Sequence, residues 1–201
     1  MTIRVLMVAL GGVLFEFDHD HRLGVLGACL GLPPDRVDAL LWGSGFSADC
    51  DAGRYPDARA VRAQIRQITG YAGRDEDLDA AWCSAFRPDA TVVDLVADQR
   101  GAIEFGVFTN NGPLEEEVLP RLYPRAFEPF THRFFCHRLG ANKPDPRVYR
   151  RVSDLLGAAP GQIGFVDDSA ENISAAREHG WDAVQFEALA DLADLLPEGQ
   201  T

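Results

Sequence analysis

The chain begins with an apolar run over residues 3–14, I-R-V-L-M-V-A-L-G-G-V-L, in which residues 5–10 are unbroken and the pair Gly11-Gly12 stops them. Six apolar residues are too few for a buried helix and too continuous for a solvated one, so they predict a parallel strand buried on both faces. A glycine pair at the carboxyl end of such a strand puts bare backbone where open α/β sheets bind their ligands. The pattern then turns helical. Residues 21–30, 35–42, 57–68 and 76–86 carry apolar positions at helical spacing, with Pro, Gly or Asp at their boundaries. Between the second and third of these, residues 43–55 read as a glycine-rich loop, and Arg87-Pro88 ends the block.

From Asp89 onward, helices alternate with short apolar runs. Residues 91–98 predict a helix, 103–108 a strand, 134–136 a shorter strand, 147–156 a helix, 163–166 a strand, 174–179 a helix and 183–186 a last strand. That alternation is the grammar of an α/β fold with a doubly wound parallel sheet. The expected organisation is a discontinuous core, residues 1–17 and 88–201, interrupted by a helical insertion over residues 18–87.

Composition narrows the classes. At 201 residues, 46% of them hydrophobic, the chain is long enough to bury a core and carry an insertion. A formal charge of −12 with no basic run argues against nucleic acid and anionic membranes as partners. Cys29, Cys50, Cys83 and Cys136 show no metal-ligand spacing, so reduced thiols and a cytoplasmic location are expected. Arg4 ahead of the apolar run has the look of a signal peptide, but no small-x-small site follows and Glu16, Asp18 and Asp20 make the chain acidic at once. No run approaches the length of a membrane span.

Chemistry gathers where the predicted strands end. The run ending in Phe108 delivers Thr109 and then Asn110, a hydroxyl and an amide suited to phosphate oxygens, although Thr-Asn-Asn-Gly is also ordinary turn chemistry. Among 19 basic residues Lys143 is the one lysine. A chain that uses arginine wherever a generic cation suffices has a reason for an ammonium here: a compact point charge fits a crowded site between a phosphate and carboxylates, where a planar guanidinium does not. Asp167-Asp168 closes the strand I-G-F-V. Adjacent carboxylates there repel unless a cation sits between them, and hard oxygen donors suit Mg²⁺; Asp-Asp-Ser is also a plausible helix cap.

These stretches, together with Ala9-Leu10-Gly11-Gly12-Val13-Leu14 and Lys143-Pro144 followed by Tyr149, resemble the four motifs of the haloacid dehalogenase (HAD) superfamily, in order and over nearly the whole chain. The resemblance is to its magnesium-dependent phosphatase branch with a small helical cap, which includes glucose-1-phosphatase-like proteins and the N-terminal domain of soluble epoxide hydrolases. It implies a Rossmann-like core, residues 18–87 as the cap, Mg²⁺ as cofactor and a small phosphorylated metabolite as substrate. It further implies that Lys143 steadies the phosphate and that Thr109 and Asn110 hold its oxygens. Asp167, Asp168 and the Gly11 carbonyl would bind the metal.

Two positions depart from the pattern. Gly11 stands at the acid/base position, so a proton must come from elsewhere. Ala9 stands at the position of the nucleophilic aspartate, which is also a metal ligand, and a methyl group can neither attack phosphorus nor coordinate magnesium. The chain therefore reads as a phosphatase lacking its nucleophile, by engineering or recent loss. The alternatives are a natural pseudoenzyme that binds a phosphorylated ligand or a protein partner, and a dehalogenase, which the Asp167-Asp168 pair disfavours. In the cap loop, Asp49, Asp51 and Arg54 are candidate substrate contacts, with a solvated turn as the plain alternative. His19, His21, His132 and His137 need no function, Trp42, Trp82 and Trp181 read as packing, and an apolar cap helix could pair with a copy of itself to form a homodimer.

Overall fold

A computed structural model of the chain describes residues 2–196; Met1 and residues 197–201, the ends of the expected core, lie outside the described residues. In chain order the elements are β1 (Val5–Val8), β2 (Phe15–Phe17), α1 (His19–Leu30), α2 (Pro34–Leu41), α3 (Phe46–Asp51), α4 (Ala58–Thr69), α5 (Asp75–Trp82) and β3 (Phe86–Pro88). They continue with α6 (Ala90–Asp98), β4 (Glu104–Thr109), α7 (Pro113–Leu122), α8 (Pro124–Phe127), β5 (Phe130–Phe135) and α9 (Pro146–Leu156). Last come β6 (Ile163–Asp167), α10 (Ala170–Glu178), β7 (Asp182–Gln185) and α11 (Leu189–Ala193).

Five strands form one parallel sheet in the order β5-β4-β1-β6-β7, with β1 at its centre. All four residues of β1 are buried, because both faces of the sheet are covered. Leu6 and Val8 join one apolar cluster with Val92 and Val96 of α6 and Leu114 and Val118 of α7. Val5 and Met7, pointing the other way, join a second with Val148 and Val152 of α9 and Ile173 of α10. The strand order reverses direction beside β1, so the crevice at its carboxyl end is the topological switch point.

Helices α1–α5 all lie between β2 and β3, which pair antiparallel as Phe15↔Pro88, Glu16↔Arg87 and Phe17↔Phe86. Chain enters and leaves the helical block through this two-stranded ribbon. The block is fastened to α7 through the buried pair Arg62–Asp79: Arg62 of α4 donates to Asp79 of α5 at 2.6 Å and to Glu117 at 2.7 Å, and Arg121 donates to Asp79 at 2.7 Å. Acidic residues also serve as helix caps, with Asp18, Asp57, Asp89 and Asp145 each accepting a backbone N–H of the first turn.

Several boundaries differ from expectation for physical reasons. The loop over residues 43–55 contains α3, which the glycines conceal. A Cβ on Gly112 would meet that of Cys50 at 3.0 Å, so α3 approaches the loop after β4 closely. The helix expected to reach residue 86 stops at Trp82, because Phe86 pairs with Phe17 in the ribbon. Helices α7 and α8 were hidden by their prolines: Pro113 and Pro124 begin them, and Pro120 sits inside α7. Strand β5 starts at Phe130, and Cys136 falls in the short 3₁₀ turn that follows it.

Candidate active site

The carboxyl ends of β1, β4 and β6 surround a cleft of about 370 Å³. Its lining includes Ala9, Gly11, Thr109, Asn110, Lys143, Asp167 and Asp168, residues that lie up to 159 positions apart in the chain. Leu10, Gly12, Phe17, Phe86, Asn111 and Asn172 complete it.

Ala9 follows β1 and is 3% exposed. Its N–H donates to the Val166 carbonyl at 2.9 Å, so it is fixed against the strand that carries the acidic pair. The chain then curls back, with Phe15 N–H donating to the Leu10 carbonyl and Gly12 N–H to that of Phe15. Gly12 takes φ of +80°, and a Cβ there would collide with the Asp168 carboxylate. Glycine is therefore required twice over, by conformation and by space.

Lys143 is the electrostatic centre of the floor. It is 6% exposed, and its Nζ donates to Asp167 Oδ2 at 2.5 Å and to the Phe108 carbonyl at 2.9 Å. The ammonium also lies 5.0 Å and 5.1 Å from the ring centroids of Phe108 and Phe165, so aromatic faces share its charge. Asn110 positions the segment that carries it: its amide donates to the Lys143 carbonyl at 2.9 Å and accepts the Lys143 N–H at 2.8 Å. Thr109, almost fully buried, donates its hydroxyl to Asn111 Oδ1 at 2.6 Å.

The two carboxylates differ in kind. Asp167 is 1% exposed and satisfied by Lys143, by the Ser169 N–H and by the Asn172 amide. Asp168 is turned to the cleft, over Gly12, and its side chain has no cationic partner in hydrogen-bond reach among the described residues. Partial burial, and then the charge of Asp167, raise its pKa above the ordinary carboxylate range. A carboxyl held in that state favours a cation beside it. An open carboxylate, Asp168, beside a buried one matches the way Mg²⁺ is held, by one or two protein carboxylates together with phosphate oxygens and water.

Asp49, Asp51 and Arg54 are not brought into the cleft lining. Arg54 pairs with Asp49 at 3.1 Å beside α3, the solvated-turn alternative. Asp51 turns toward Glu115 and Arg22, where burial, with Glu115's charge adding to it, pushes its pKa up to about 8. The histidines stand apart from the lining too, with His19, His132 and His137 facing Asp38, Glu104 and Glu116. Phe17, Phe86 and Asn172 are lining residues that motif reading passed over. Asn172 had a signal, one helical turn beyond Ser169, whereas the two phenylalanines reach the cleft only through the pairing of β2 with β3.

Fold and site together define a class: a doubly wound α/β protein whose switch-point cleft holds a buried lysine, a hydroxyl and an acidic pair. Within it, the chain belongs to the haloacid dehalogenase-like hydrolase family, whose model matches residues 50–180. The chain is 27% identical over 184 residues to a phosphatase of Mycobacterium tuberculosis, covering 88% of this chain and 84% of that one. Solved structures share the fold. A HAD-family enzyme of Bacteroides thetaiotaomicron, an aspartate-to-alanine mutant in complex with magnesium and inorganic phosphate, superposes with a TM-score of 0.80 at 22% identity over 97% of this chain and all of that one. L-2-haloacid dehalogenase of Xanthobacter autotrophicus reaches 0.63 at 17% identity, over 96% and 81% of the two chains. Among the described residues no helix is long and apolar enough to cross a membrane.

Proposed function

We propose that this chain carries the site of a magnesium-dependent phosphatase of small phosphorylated metabolites in which the nucleophile alone is absent, so that it binds phosphate monoesters without turning them over. The observation that carries the reading is the company Ala9 keeps. It shares one cleft with Thr109 and Asn110 at the end of β4, Asp167 and Asp168 at the end of β6, and Lys143 in the loop ahead of α9. Such an assembly of a buried ammonium and an uncompensated carboxylate is costly to fold, and a ligand that supplies the missing charges offsets that cost. The M. tuberculosis relative's phosphatase name and the Bacteroides structure's magnesium and phosphate support the same assignment.

The roles follow from position. Lys143 presents one ammonium face to the phosphate while Asp167 and the Phe108 carbonyl hold the other. Thr109 and the Asn110 backbone amide meet phosphate oxygens, and the Asn110 side chain keeps Lys143 in register. Asp168 and Asp167, with the Gly11 carbonyl, would hold Mg²⁺, which when bound neutralises charge on the phosphate oxygens. Residues 18–87 act as the cap over this cleft, and the free state of Cys29, Cys50, Cys83 and Cys136 fits a reducing cytoplasm. In phosphoryl transfer of this type a carboxylate at position 9 would attack phosphorus as the ester P–O bond breaks and the alcohol leaves with a proton from water, giving an aspartyl-phosphate that a second water hydrolyses to free carboxylate and phosphate. Alanine leaves the binding groups standing and removes one negative charge facing the phosphate.

Titration calorimetry of the chain with inorganic phosphate, with and without Mg²⁺, tests this. Saturable, magnesium-dependent binding that Asp168→Asn weakens at least tenfold is the expected result. Absence of phosphate binding in both conditions would refute the assignment.

A further inference from the structure

The polar floor of the cleft accounts for the phosphate and leaves one wall unexplained. That wall is Phe17. A Cβ built on Gly11 would lie 3.5 Å from the Cβ and Cδ2 of Phe17, so the aromatic side chain rests directly against the backbone at the carboxyl end of β1. Its β3 partner Phe86 meets it edge-on, with centroids 5.1 Å apart, and is itself buried. The Arg22 guanidinium lies 5.1 Å from the ring centroid. Held in this way, Phe17 is nevertheless 47% exposed. Phe17 lines both this cleft and the neighbouring cavity that holds Glu16, Asp18 and His21, so a ring fixed by its neighbours stands open to apolar contact where the two meet.

We propose that Phe17 is the specificity-determining residue of the site: the alcohol portion of the substrate carries a flat ring close to the ester oxygen and lies against Phe17 while its phosphate occupies the Lys143 floor. The proposal rests on the phosphate-site reading given above. It commits to phosphate monoesters of aromatic or similarly flat ring alcohols, in preference to short-chain alkyl phosphates, because the ionisable lining groups, Lys143, Asp167 and Asp168, are all on the phosphate side. The aromatic part of the lining is Phe17 with the buried Phe86 behind it, side chains with no hydrogen bonds to offer. A flat ring gains there from stacking, while an aliphatic or heavily hydroxylated group gains little.

The chain as it stands suits the test, since a ligand that is bound and not consumed can be titrated. In the presence of Mg²⁺, dissociation constants for inorganic phosphate, butyl phosphate and phenyl phosphate are measured by calorimetry for this chain and for Phe17→Leu and Phe17→Tyr. Phenyl phosphate is expected to bind about tenfold more tightly than butyl phosphate, the worth of one well-placed aromatic contact. That ratio should fall to near one in Phe17→Leu and persist in Phe17→Tyr, which keeps the ring and its Phe86 contact. Equal affinity for phenyl and butyl phosphate, or a preference that Phe17→Leu leaves intact, overturns the proposal while the phosphate site stands. If none of the three phosphates binds, the phosphate reading fails and this inference fails with it.

Discussion

At the scale of single residues, the site is a set of charges that stabilise one another. Replacing Lys143 with Met would strand Asp167 as a carboxylate 1% exposed, with only the Asn172 amide and the Ser169 N–H left to it. Removing one partner of a buried pair costs about 3–5 kcal/mol. Urea denaturation of Lys143→Met should show a loss of that order, and Lys143→Met/Asp167→Asn should recover part of it. Gly12→Ala makes a sharper prediction about binding. The added methyl strains a backbone at φ +80° and displaces the Asp168 carboxylate, so Mg²⁺-dependent phosphate affinity should drop more than tenfold. A Gly12→Ala chain that binds as before would show that Asp168 does not hold the metal. Much at this scale was legible in the sequence. Lys143 stood out as the sole lysine, and Thr109, Asn110, Asp167 and Asp168 by their places at strand ends. Phe17 was not legible, because its role arises from a partner 69 residues away in the ribbon.

Among the elements, the strands of the core announced themselves by apolar runs, since a central parallel strand must be apolar on both faces. The glycines around α3 read as a loop, and α7 and α8, which begin at prolines, gave no recognised helical pattern. The candidate contacts Asp49, Asp51 and Arg54 lie outside the cleft lining: with residues 46–51 helical, Asp49 and Arg54 meet each other and Asp51 turns toward α7. How the helical block is attached to α7 yields a prediction of its own. Asp79, 3% exposed, receives both Arg62 and Arg121. Asp79→Ala leaves Arg62 buried with Glu117 as its remaining partner, and should cost about 3 kcal/mol. Hydrogen exchange should then quicken in α4 and α5 before the sheet.

Over the whole molecule, acidity sets the response to pH. Asp51 is a carboxyl whose folded pKa, about 8, stands above the ordinary value of 3.8. Between those values the folded chain holds a proton that the unfolded chain has released, so stability falls as pH rises through the window. Asp51→Asn mimics the protonated form. Its melting temperature relative to the parent chain should therefore climb from pH 5 to pH 8 and level off above; a constant difference would place Asp51 in water.

The proposed function makes Ala9, a methyl group in the cleft lining, the place of a missing nucleophile, and the direct test is to put a carboxylate there. Ala9→Asp should hydrolyse a generic aryl phosphate in Mg²⁺ and lose that activity in chelator, with the parent chain silent in both. About a millionfold separates a site with its nucleophile from one without. A silent Ala9→Asp chain that still binds phosphate would contradict the view that only the nucleophile is missing, and would leave a binding protein in its place.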